Sequence, residues 1–300
     1  MKSILLIIPY FGQWPIWFEA YLVSVRANPS IHWLCPTDCD LPKDYPTNLK
    51  FLKTSLPKLN HQVNQVVNAE VPLTPRKFCD LKPAYGEIFQ DEVKNYDFWG
   101  FCDMDIIWGD IRKFMTPEIL ENHDIISSRK ENISGHFNLF RNTPELNQLY
   151  KKVPDYQNLF EQERFMWFDE QVLSNYLRVA QHDFTIKWDK ILCNQEKGRD
   201  SHQEYELNRW LWNDGQLINT KTREEVMYLH FINWKRTMKF CEISYIDPPK
   251  PFYVSYIGMH YHPFSKLNLV LNDFKNLFFG YEMILKRKRV TNKIVKKFRK

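Results

Sequence analysis

The chain of 300 residues is 44% hydrophobic and 16% aromatic, a composition that predicts a folded globular protein and argues against a disordered one. It contains only 9 glycines and has neither a GxGxxG nor a GxxxxGK(S/T) segment, which argues against dinucleotide-binding enzymes and P-loop NTPases. The formal net charge is +5, yet residues 286–300 contain nine Lys or Arg and no acid, so the preceding residues are mildly acidic. The six cysteines include no CxxC pair, which favours a reducing compartment.

Short apolar segments alternate with helix-like segments in the first half of the chain. We predict strands at residues 3–8, 30–35, 48–53, 97–102 and 124–127. We predict helices at 16–26, at 78–90 and after the capping pair Thr116-Pro117. This alternation predicts a mostly parallel sheet with covering helices, in which a ligand binds beyond the carboxyl ends of the strands.

The second half is predicted to form a smaller hairpin-containing and helical part. Its predicted elements are a strand at 136–140, a helix after Thr143-Pro144, an amphipathic helix at 161–178, a hairpin within 204–220 with Asp214-Gly215 as its turn, and an amphipathic helix at 266–285. A short apolar segment, VMYLHFINWK, contains His230. Several tryptophans of this half are candidate stacking platforms for sugars, although buried core aromatics have the same sequence pattern: Trp167, Trp188, Trp210, Trp212 and Trp234.

Two aspartates follow the predicted strand 97–102, in the segment FCDMDIIWGD. Buried carboxylates cost several kcal/mol unless they are paired or bind a cation. The i, i+2 spacing places Asp103 and Asp105 on one face of an extended segment, where their oxygens would suit Mg²⁺ or Mn²⁺. A solvated polar turn is the alternative reading of the triplet. Asp110 follows Gly109 at the start of a predicted helix, so we interpret it as a helix cap and not as a ligand.

The longer passage FWGFC-DMD-II-W-GD-IRKF resembles the nucleotide-sugar glycosyltransferases of the GT-A fold, especially the retaining families 8 and 32. The chain also resembles uncharacterised glycosyltransferase-like proteins of bacterial polysaccharide loci. The resemblance implies an α/β GT-A domain over residues 1–265, with a nucleotide-binding half at about 1–130 and an acceptor half at about 131–265. Residues 266–300 would form an amphipathic helix and a basic tail.

The resemblance also implies a set of site residues. In TPRKFCDLKPAYGEIF it implies donor-binding Lys77, Asp80 and Lys82, and in GHFNLF and FDEQVL it implies catalytic Asn138, Asp169 and Glu170. In YLHFINWK it implies that His230 completes a metal site with Asp103 and Asp105, and that Lys235 contacts the diphosphate, although this Lys follows the His by five residues where family 8 has six. The remaining donor-binding candidates are Pro9, Tyr10 and Phe11, which would line the base pocket, and Asp103.

The implied activity is transfer of a sugar, with UDP-sugar as donor and Mn²⁺ or Mg²⁺ as cofactor, to a cell-surface polysaccharide or lipid-linked acceptor such as a capsule or lipopolysaccharide precursor. Two carboxylates, an imidazole and a lysine would stabilise the departing diphosphate, and the resemblance favours a retaining outcome over an inverting one. Two alternatives remain open from the residues. One is a haloacid-dehalogenase-type phosphohydrolase, and the other is a non-catalytic protein that binds sugars or membrane surfaces on a transferase-like scaffold.

The basic tail 286–300 predicts contact with an anionic membrane surface. Its nine Lys or Arg are interspersed with Val290, Ile294, Val295 and Phe298, and each basic residue near an anionic leaflet contributes about 1 kcal/mol. No nucleic-acid motif accompanies the tail, so we expect no nucleic-acid partner. The expected location is cytoplasmic and peripheral, on the inner face of the cell membrane.

Overall fold

The structure is a computed structural model that describes residues 1–188 and 205–279. Its strands in chain order are β1 (Ile4–Ile7), β2 (His32–Thr37), β3 (Leu49–Lys53), β4 (Phe98–Cys102), β5 (Ile106–Trp108), β6 (Ile125–Ser127), β7 (Phe137–Arg141), β8 (Ile186–Trp188), β9 (Trp210–Asn213), β10 (Gln216–Asn219), β11 (Tyr228–His230), β12 (Phe240–Cys241), β13 (Phe252–Ser255) and β14 (Gly258–His260). Every strand predicted in the first half of the chain is present, with bounds that differ by at most two residues.

The α-helices among the described residues are α1 (Phe18–Arg26), α2 (Leu56–Val67), α3 (Tyr85–Ile88), α4 (Gln90–Val93), α5 (Ile111–Phe114), α6 (Pro117–Asn122), α7 (Pro144–Asn147), α8 (Tyr156–Glu161), α9 (Ser174–Val179) and α10 (Lys266–Phe279). Within the described parts of the chain, three segments form 3-10 helices, Lys77–Ala84, Leu149–Lys152 and Trp234–Arg236, and Phe168–Leu173 is a π-helix. The predicted caps are confirmed, because Thr116 and Thr143 accept backbone N–H groups of the first helical turns that follow them.

The main sheet has the strand order β3-β2-β1-β4-β7-β6-β8. Strand β1 pairs in parallel with β2 and β4, whereas β7 runs antiparallel to both of its neighbours. Both faces of the sheet are covered, since Leu5 and Ile7 pack into one apolar core and Ile4 and Leu6 pack into another. The predicted mixed, mostly parallel α/β sheet is therefore confirmed, and the carboxyl ends of β1 and β4 lie side by side.

A second sheet, β10-β9-β13-β14-β12, forms most of the C-terminal part of the described chain. The predicted hairpin is confirmed as β9 and β10, and Asp214 and Gly215 both have positive φ (47° and 79°), as a two-residue turn of this kind requires. A separate antiparallel pair, β5 and β11, sets His230 opposite Ile106. This pair connects the segment after β4 to a segment more than 100 residues later in the chain.

Two predicted helices are wrong in part. Residues 161–178 are not one helix, because α8 ends at Glu161 and helical structure resumes only with the π-helix at Phe168. The cause is a tertiary contact, since the carboxylate of Asp80 accepts the backbone N–H groups of Met166 and Phe168 that a continuous helix would use in its own ladder. The segment predicted as a helix at 78–90 begins instead as a 3-10 helix that contains Pro83.

Helix α10 confirms the first part of the helix predicted at 266–285, and the remainder of that prediction and the basic tail lie outside the described residues. The helix is anchored by Asn272, which accepts a hydrogen bond from the Tyr256 hydroxyl (2.7 Å) and donates one to the carbonyl of Tyr205 (2.8 Å). Four apolar side chains at helical spacing are each 58% to 67% exposed, and we call them the α10 stripe: Leu267, Val270, Leu271 and Phe274. Within residues 1–188 and 205–279, no helix is long and apolar enough to cross a membrane.

Candidate active site

A cavity of about 370 Å³ opens at the carboxyl ends of β1 and β4. Its floor contains the DMD triplet, which follows β4, and one wall contains residues 8–11, which follow β1. The lining also includes residues of the π-helix and of the loop before it, and His230 of β11. The cavity thus occupies the edge of the sheet at which the sequence predicts a ligand.

Backbone contacts hold the DMD triplet in place. The Asp103 N–H donates to the carbonyl of His136 at 3.3 Å, and the Phe231 N–H donates to the carbonyl of Asp105 at 3.0 Å. Between them, the indole N–H of Trp17 donates to the carbonyl of Met104 at 2.9 Å. These three contacts fix the backbone of the triplet, and the contact between Phe231 and Asp105 extends the β5–β11 pairing.

Asp103, Asp105 and His230 form a cluster whose potential ligand atoms all lie within 4.8 Å of one another. His230 Nε2 is 3.7 Å from an oxygen of Asp105 and 4.0 Å from an oxygen of Asp103. Two carboxylates and an imidazole suit Mn²⁺, and this open donor set leaves coordination positions for substrate oxygens. The Asp105 and His230 side chains are almost fully buried, while Asp103 is about one-third exposed to the cavity. The residues present therefore fit a divalent cation.

Two lysines neutralise the carboxylates of the cluster. Lys235 Nζ donates to Asp105 at 2.8 Å, and Lys82 Nζ donates to Asp103 at 2.6 Å and to the carbonyl of Gly135. Burial would raise the pKa of Asp105, but His230 and Lys235 outweigh it and hold that pKa well below its ordinary value. Burial would likewise lower the pKa of Lys82, but Asp103 outweighs it and raises that pKa, so the buried ammonium stays charged.

A second imidazole supports His230 from behind. The ring of His136 stacks on that of His230, with centroids 4.3 Å apart and planes 20° from parallel. The Tyr228 hydroxyl lies 2.8 Å from His136 Nδ1, and both side chains are buried. Such supporting contacts orient a ligating imidazole, so the plane of His230 is fixed before any ligand arrives.

The π-helix presents Asp169 and Glu170 to the cavity in its first turn. Burial raises the pKa of Asp169 to about 7, and the favourable charge of Lys82 offsets this only in part. Glu170 forms an ion pair with Arg129 at 3.2 Å. Gly135 faces this carboxylate pair, and a Cβ at that position would lie 2.7 Å from an oxygen of Glu170. A side chain at position 135 would therefore have to displace the Glu170 carboxylate from its present place.

Most of the predicted site residues line this one cavity. The set comprises Pro9, Tyr10, Phe11, Lys82, Asp103, Asp105, Asp169, Glu170, His230 and Lys235. Burial raises the pKa of Tyr10, and the nearby charges of Cys39 and Asp105 raise it further. Asp110 is a helix cap as predicted, since its carboxylate accepts the N–H of Lys113 at 3.1 Å.

Three of the predicted residues do not reach the cavity surface. Lys77 and Asp80 are 1% and 0% exposed and pair with each other at 3.1 Å behind the cavity wall. Lys77 Nζ also donates to the carbonyls of Leu159 and Arg164, so the pair fastens the segment before the π-helix. Asn138 is fully buried in β7, where its amide donates to the carbonyl of Leu139. The structure thus places all three in supporting positions.

Sequence reasoning missed several cavity residues: Trp17, Arg76, Arg129, Gly135, His136 and Phe165. Arg76 and Phe165 form a stacked pair, with the guanidinium carbon 3.7 Å from the ring centroid. His136 begins the predicted strand 136–140, but only the antiparallel pairing of β7 with β4 brings the start of that strand to the DMD segment. Arg129 stands in the polar segment SRKENISG, and no local pattern separates it from its neighbours.

The fold and the site together define a mixed α/β protein with a candidate divalent-cation site at the carboxyl edge of its main sheet. The chain belongs to a family of unknown function, DUF6625, which matches residues 6–259. No curated protein matches the chain. The matched range includes every residue that lines the cavity. The description of the family assigns no activity.

Two solved glycosyltransferase structures show similarity to the chain. Apo GlyE of Streptococcus pneumoniae TIGR4 has 11% identity and a TM-score of 0.37 over 65% of this chain, and the match covers 47% of GlyE. This chain therefore spans about half the length of GlyE. Apo mouse xyloside xylosyltransferase 1 has 10% identity and a TM-score of 0.40, with 76% of this chain and 97% of that chain covered.

Proposed function

We propose that this protein is a metal-dependent glycosyltransferase of the GT-A type, which transfers a sugar from a UDP-sugar to a glycan or glycolipid acceptor. The observation that carries the proposal is the cluster of Asp103, Asp105 and His230, flanked by Lys82 and Lys235 in one cavity. This set holds two anionic ligands, an imidazole and two cations within reach of one diphosphate. The resemblance of the DMD passage to families 8 and 32 supports the same conclusion.

The charges of the cavity suit a leaving diphosphate. Asp103, Asp105 and His230 would hold Mn²⁺ or Mg²⁺, which supplies charge stabilisation to the diphosphate oxygens when bound. The ammonium of Lys235 contacts Asp105 in the cluster, and the Lys235 side chain is 39% exposed, so it can exchange this contact for one with a phosphate oxygen. Residues Pro9, Tyr10 and Phe11, beyond β1, would line the base pocket, as the sequence predicts.

In this proposal Asp169 and Glu170 lie beside the transferred sugar. Positive charge develops on the sugar as its bond to the diphosphate breaks, and a carboxylate on this wall would stabilise it. Arg129 forms an ion pair with Glu170, and Lys82 donates to Asp103 while its charge also favours the ionised form of Asp169. The proposed transfer keeps the configuration of the sugar, as in the retaining families, and this part of the proposal rests on the resemblance alone. Asn138, Lys77 and Asp80 act as supports beneath the cavity and not as donor contacts.

Titration calorimetry with UDP tests the proposal directly. We expect heat of binding when UDP is added in the presence of Mn²⁺, and little or none when the cation is removed with a chelator. We also expect slow, Mn²⁺-dependent release of UDP from at least one member of a panel of UDP-sugars. If neither UDP nor GDP nor CMP binds in the presence of the cation, the proposed function is wrong.

The α10 stripe favours a second candidate function, binding to an anionic membrane surface, which is compatible with transfer to a lipid-linked acceptor. The exposed apolar side chains precede the basic residues 286–300 in the chain, and apolar anchors combined with basic charge are typical of membrane-surface helices. The proposed location is accordingly the inner face of the cell membrane. A non-catalytic surface protein would bind vesicles in the same way and show no turnover.

Vesicle sedimentation tests membrane binding, and turnover measured on the same protein separates the catalytic reading from the non-catalytic one. We expect the full chain to sediment with vesicles that contain phosphatidylglycerol and not with pure phosphatidylcholine vesicles. The double change Val270→Ser with Leu271→Ser should weaken sedimentation about tenfold or more, because two exposed apolar groups lose their burial in lipid. Val179→Ser is the matched control, since Val179 is 84% exposed on α9. In Asp103→Ala, sedimentation should persist while turnover is lost. Persistent turnover would show that the metal site is wrong.

A further inference from the structure

Trp167 has a strained backbone at the rim of the cavity. Its φ and ψ are 52° and 45°, which is the left-handed region, and it directly precedes the π-helix. For a bulky residue this conformation is a rare outlier that persists only when surrounding contacts enforce it, and such outliers concentrate at ligand sites. Among the described residues, the other non-glycine residues with positive φ are two Asn, two Asp and one Arg, so Trp167 is the one aromatic in this group.

A buried carboxylate enforces the conformation. The oxygens of Asp80 accept the N–H of Met166 at 2.9 Å and the N–H of Phe168 at 3.1 Å, one residue on each side of Trp167. The carbonyl of Trp167 accepts the N–H of Gln171 at 2.8 Å. The backbone is therefore clamped on both sides of Trp167. The Asp80 carboxylate that forms this clamp is itself held by a fully buried ion pair with Lys77.

The clamp turns the indole into the cavity instead of the core. Trp167 lines the cavity and is 37% exposed, whereas the buried tryptophans of the second sheet and its neighbourhood are 0% to 3% exposed: Trp210, Trp212 and Trp234. Phe165 packs against the indole with centroids 5.0 Å apart, and the guanidinium of Arg76 lies over the Phe165 ring, 3.7 Å from its centroid. The result is an aromatic wall in which the Trp167 side chain is supported by a neighbouring ring and remains partly exposed.

The lining of the cavity offers separate places for the parts of the substrates. Lys235 donates to Asp105 and Lys82 donates to Asp103, so a diphosphate would lie at these charges. Tyr10 and the wall of Phe165 and Trp167 line the same cavity. If the base lies at Tyr10 and the diphosphate at the cation, as in the proposed function, the indole is left for the acceptor.

We propose that Trp167 is the stacking platform for the acceptor, and that the acceptor presents a pyranose ring to the indole face. This inference rests on the proposed function. A pyranose has an apolar C–H face rimmed by hydroxyls, which matches a wall that is aromatic in its centre and carries Arg76 at its edge. The carboxylates of Asp169 and Glu170 lie next along the chain, where the reacting hydroxyl of that ring would enter.

The test measures binding of a panel of methyl hexosides to the protein saturated with UDP and Mn²⁺, by saturation-transfer NMR and by acceleration of UDP release. In the unaltered protein we expect at least one hexoside to bind and to accelerate release. Trp167→Ala should raise the hexoside KM about tenfold or more, as loss of an aromatic partner does for stacked bases, and should change hexoside binding far more than UDP binding. Trp167→Phe should restore part of the loss.

Two variants guard against a purely structural explanation. Trp167→Gly accepts the left-handed conformation without strain, so its unfolding midpoint should be unchanged or raised while hexoside binding is lost. Trp188→Ala makes the same kind of change at a tryptophan outside the cavity lining and should leave the hexoside KM unchanged.

The outcomes separate this inference from the proposed function. Absence of UDP binding in the unaltered protein would contradict the proposed function itself. Normal UDP binding with no response to any hexoside, or an unchanged hexoside KM in Trp167→Gly, would overturn the acceptor platform alone. A loss of UDP affinity in Trp167→Gly that equals the loss of hexoside affinity would assign the indole to the nucleotide base instead.

Discussion

The Asp105→Asn variant should lose Mn²⁺-dependent binding of UDP, with turnover reduced by about 100-fold or more, the range seen when one preorganised charge-stabilising group is removed. Asparagine keeps the shape of the side chain but removes the charge, so the cation loses one of its two carboxylates. Because the native carboxylate is 5% exposed and fixed by contacts with His230 and Lys235, water cannot easily replace it. Calorimetry with UDP, with and without Mn²⁺, measures the loss.

Asp110→Asn is the matched control for that experiment. It makes the same chemical change five residues later, at a carboxylate that caps α5. Asparagine caps helices about as well as aspartate, so both stability and UDP binding should be retained. If Asp110→Asn lost Mn²⁺-dependent binding and Asp105→Asn kept it, the ligand assignment at the DMD segment would be wrong.

The Asp80→Asn variant should be destabilised by about 3–5 kcal/mol, since it removes one partner of an ion pair that is buried on both sides. The change leaves the ammonium of Lys77 uncompensated and weakens the two backbone hydrogen bonds around Trp167. We expect a clear fall in the urea midpoint. UDP affinity of the protein that remains folded should change little, because Asp80 does not line the cavity.

Asp91→Asn provides a closely matched comparison. Asp91 and Lys94 form an ion pair with the same three-residue spacing, at 3.3 Å, but their side chains are 82% and 62% exposed. An exposed pair contributes less than about 1 kcal/mol, so this variant should unfold almost as the parent does. Equal stability of the two variants, together with lost UDP affinity in Asp80→Asn, would restore the donor-binding role that the sequence predicts for Asp80.

The parts of the fold that the sequence predicts well are those with local signals. Strands β1, β4 and β6 are short apolar runs, and the Thr-Pro pairs mark helix starts, so each is set by its own residues. The DMD segment could be placed at a sheet edge because it directly follows such a run. His230 was found through the resemblance, since nothing within YLHFINWK alone distinguishes a ligand from a core histidine.

The parts that the sequence does not predict depend on tertiary contacts. The apolar spacing at 161–178 is typical of one helix, but Asp80 takes the backbone donors of that segment and breaks it. The charged residues Lys77 and Asp80 have the pattern of a solvated helix face, and only the structure shows that they pair inside the protein. Arg129 reaches Glu170 from a loop whose course no local pattern determines.

The pairing of β5 with β11 has a consequence for the order in which the site can form. The two carboxylates are synthesised well over 100 residues before His230, and their distance in sequence makes this a late contact in folding. A growing or partly folded chain therefore has the acidic residues without the imidazole, and its affinity for a divalent ion should be correspondingly weak. An ion that binds only the finished fold stabilises that fold. The cation would therefore favour molecules in which the N-terminal and C-terminal parts have joined correctly.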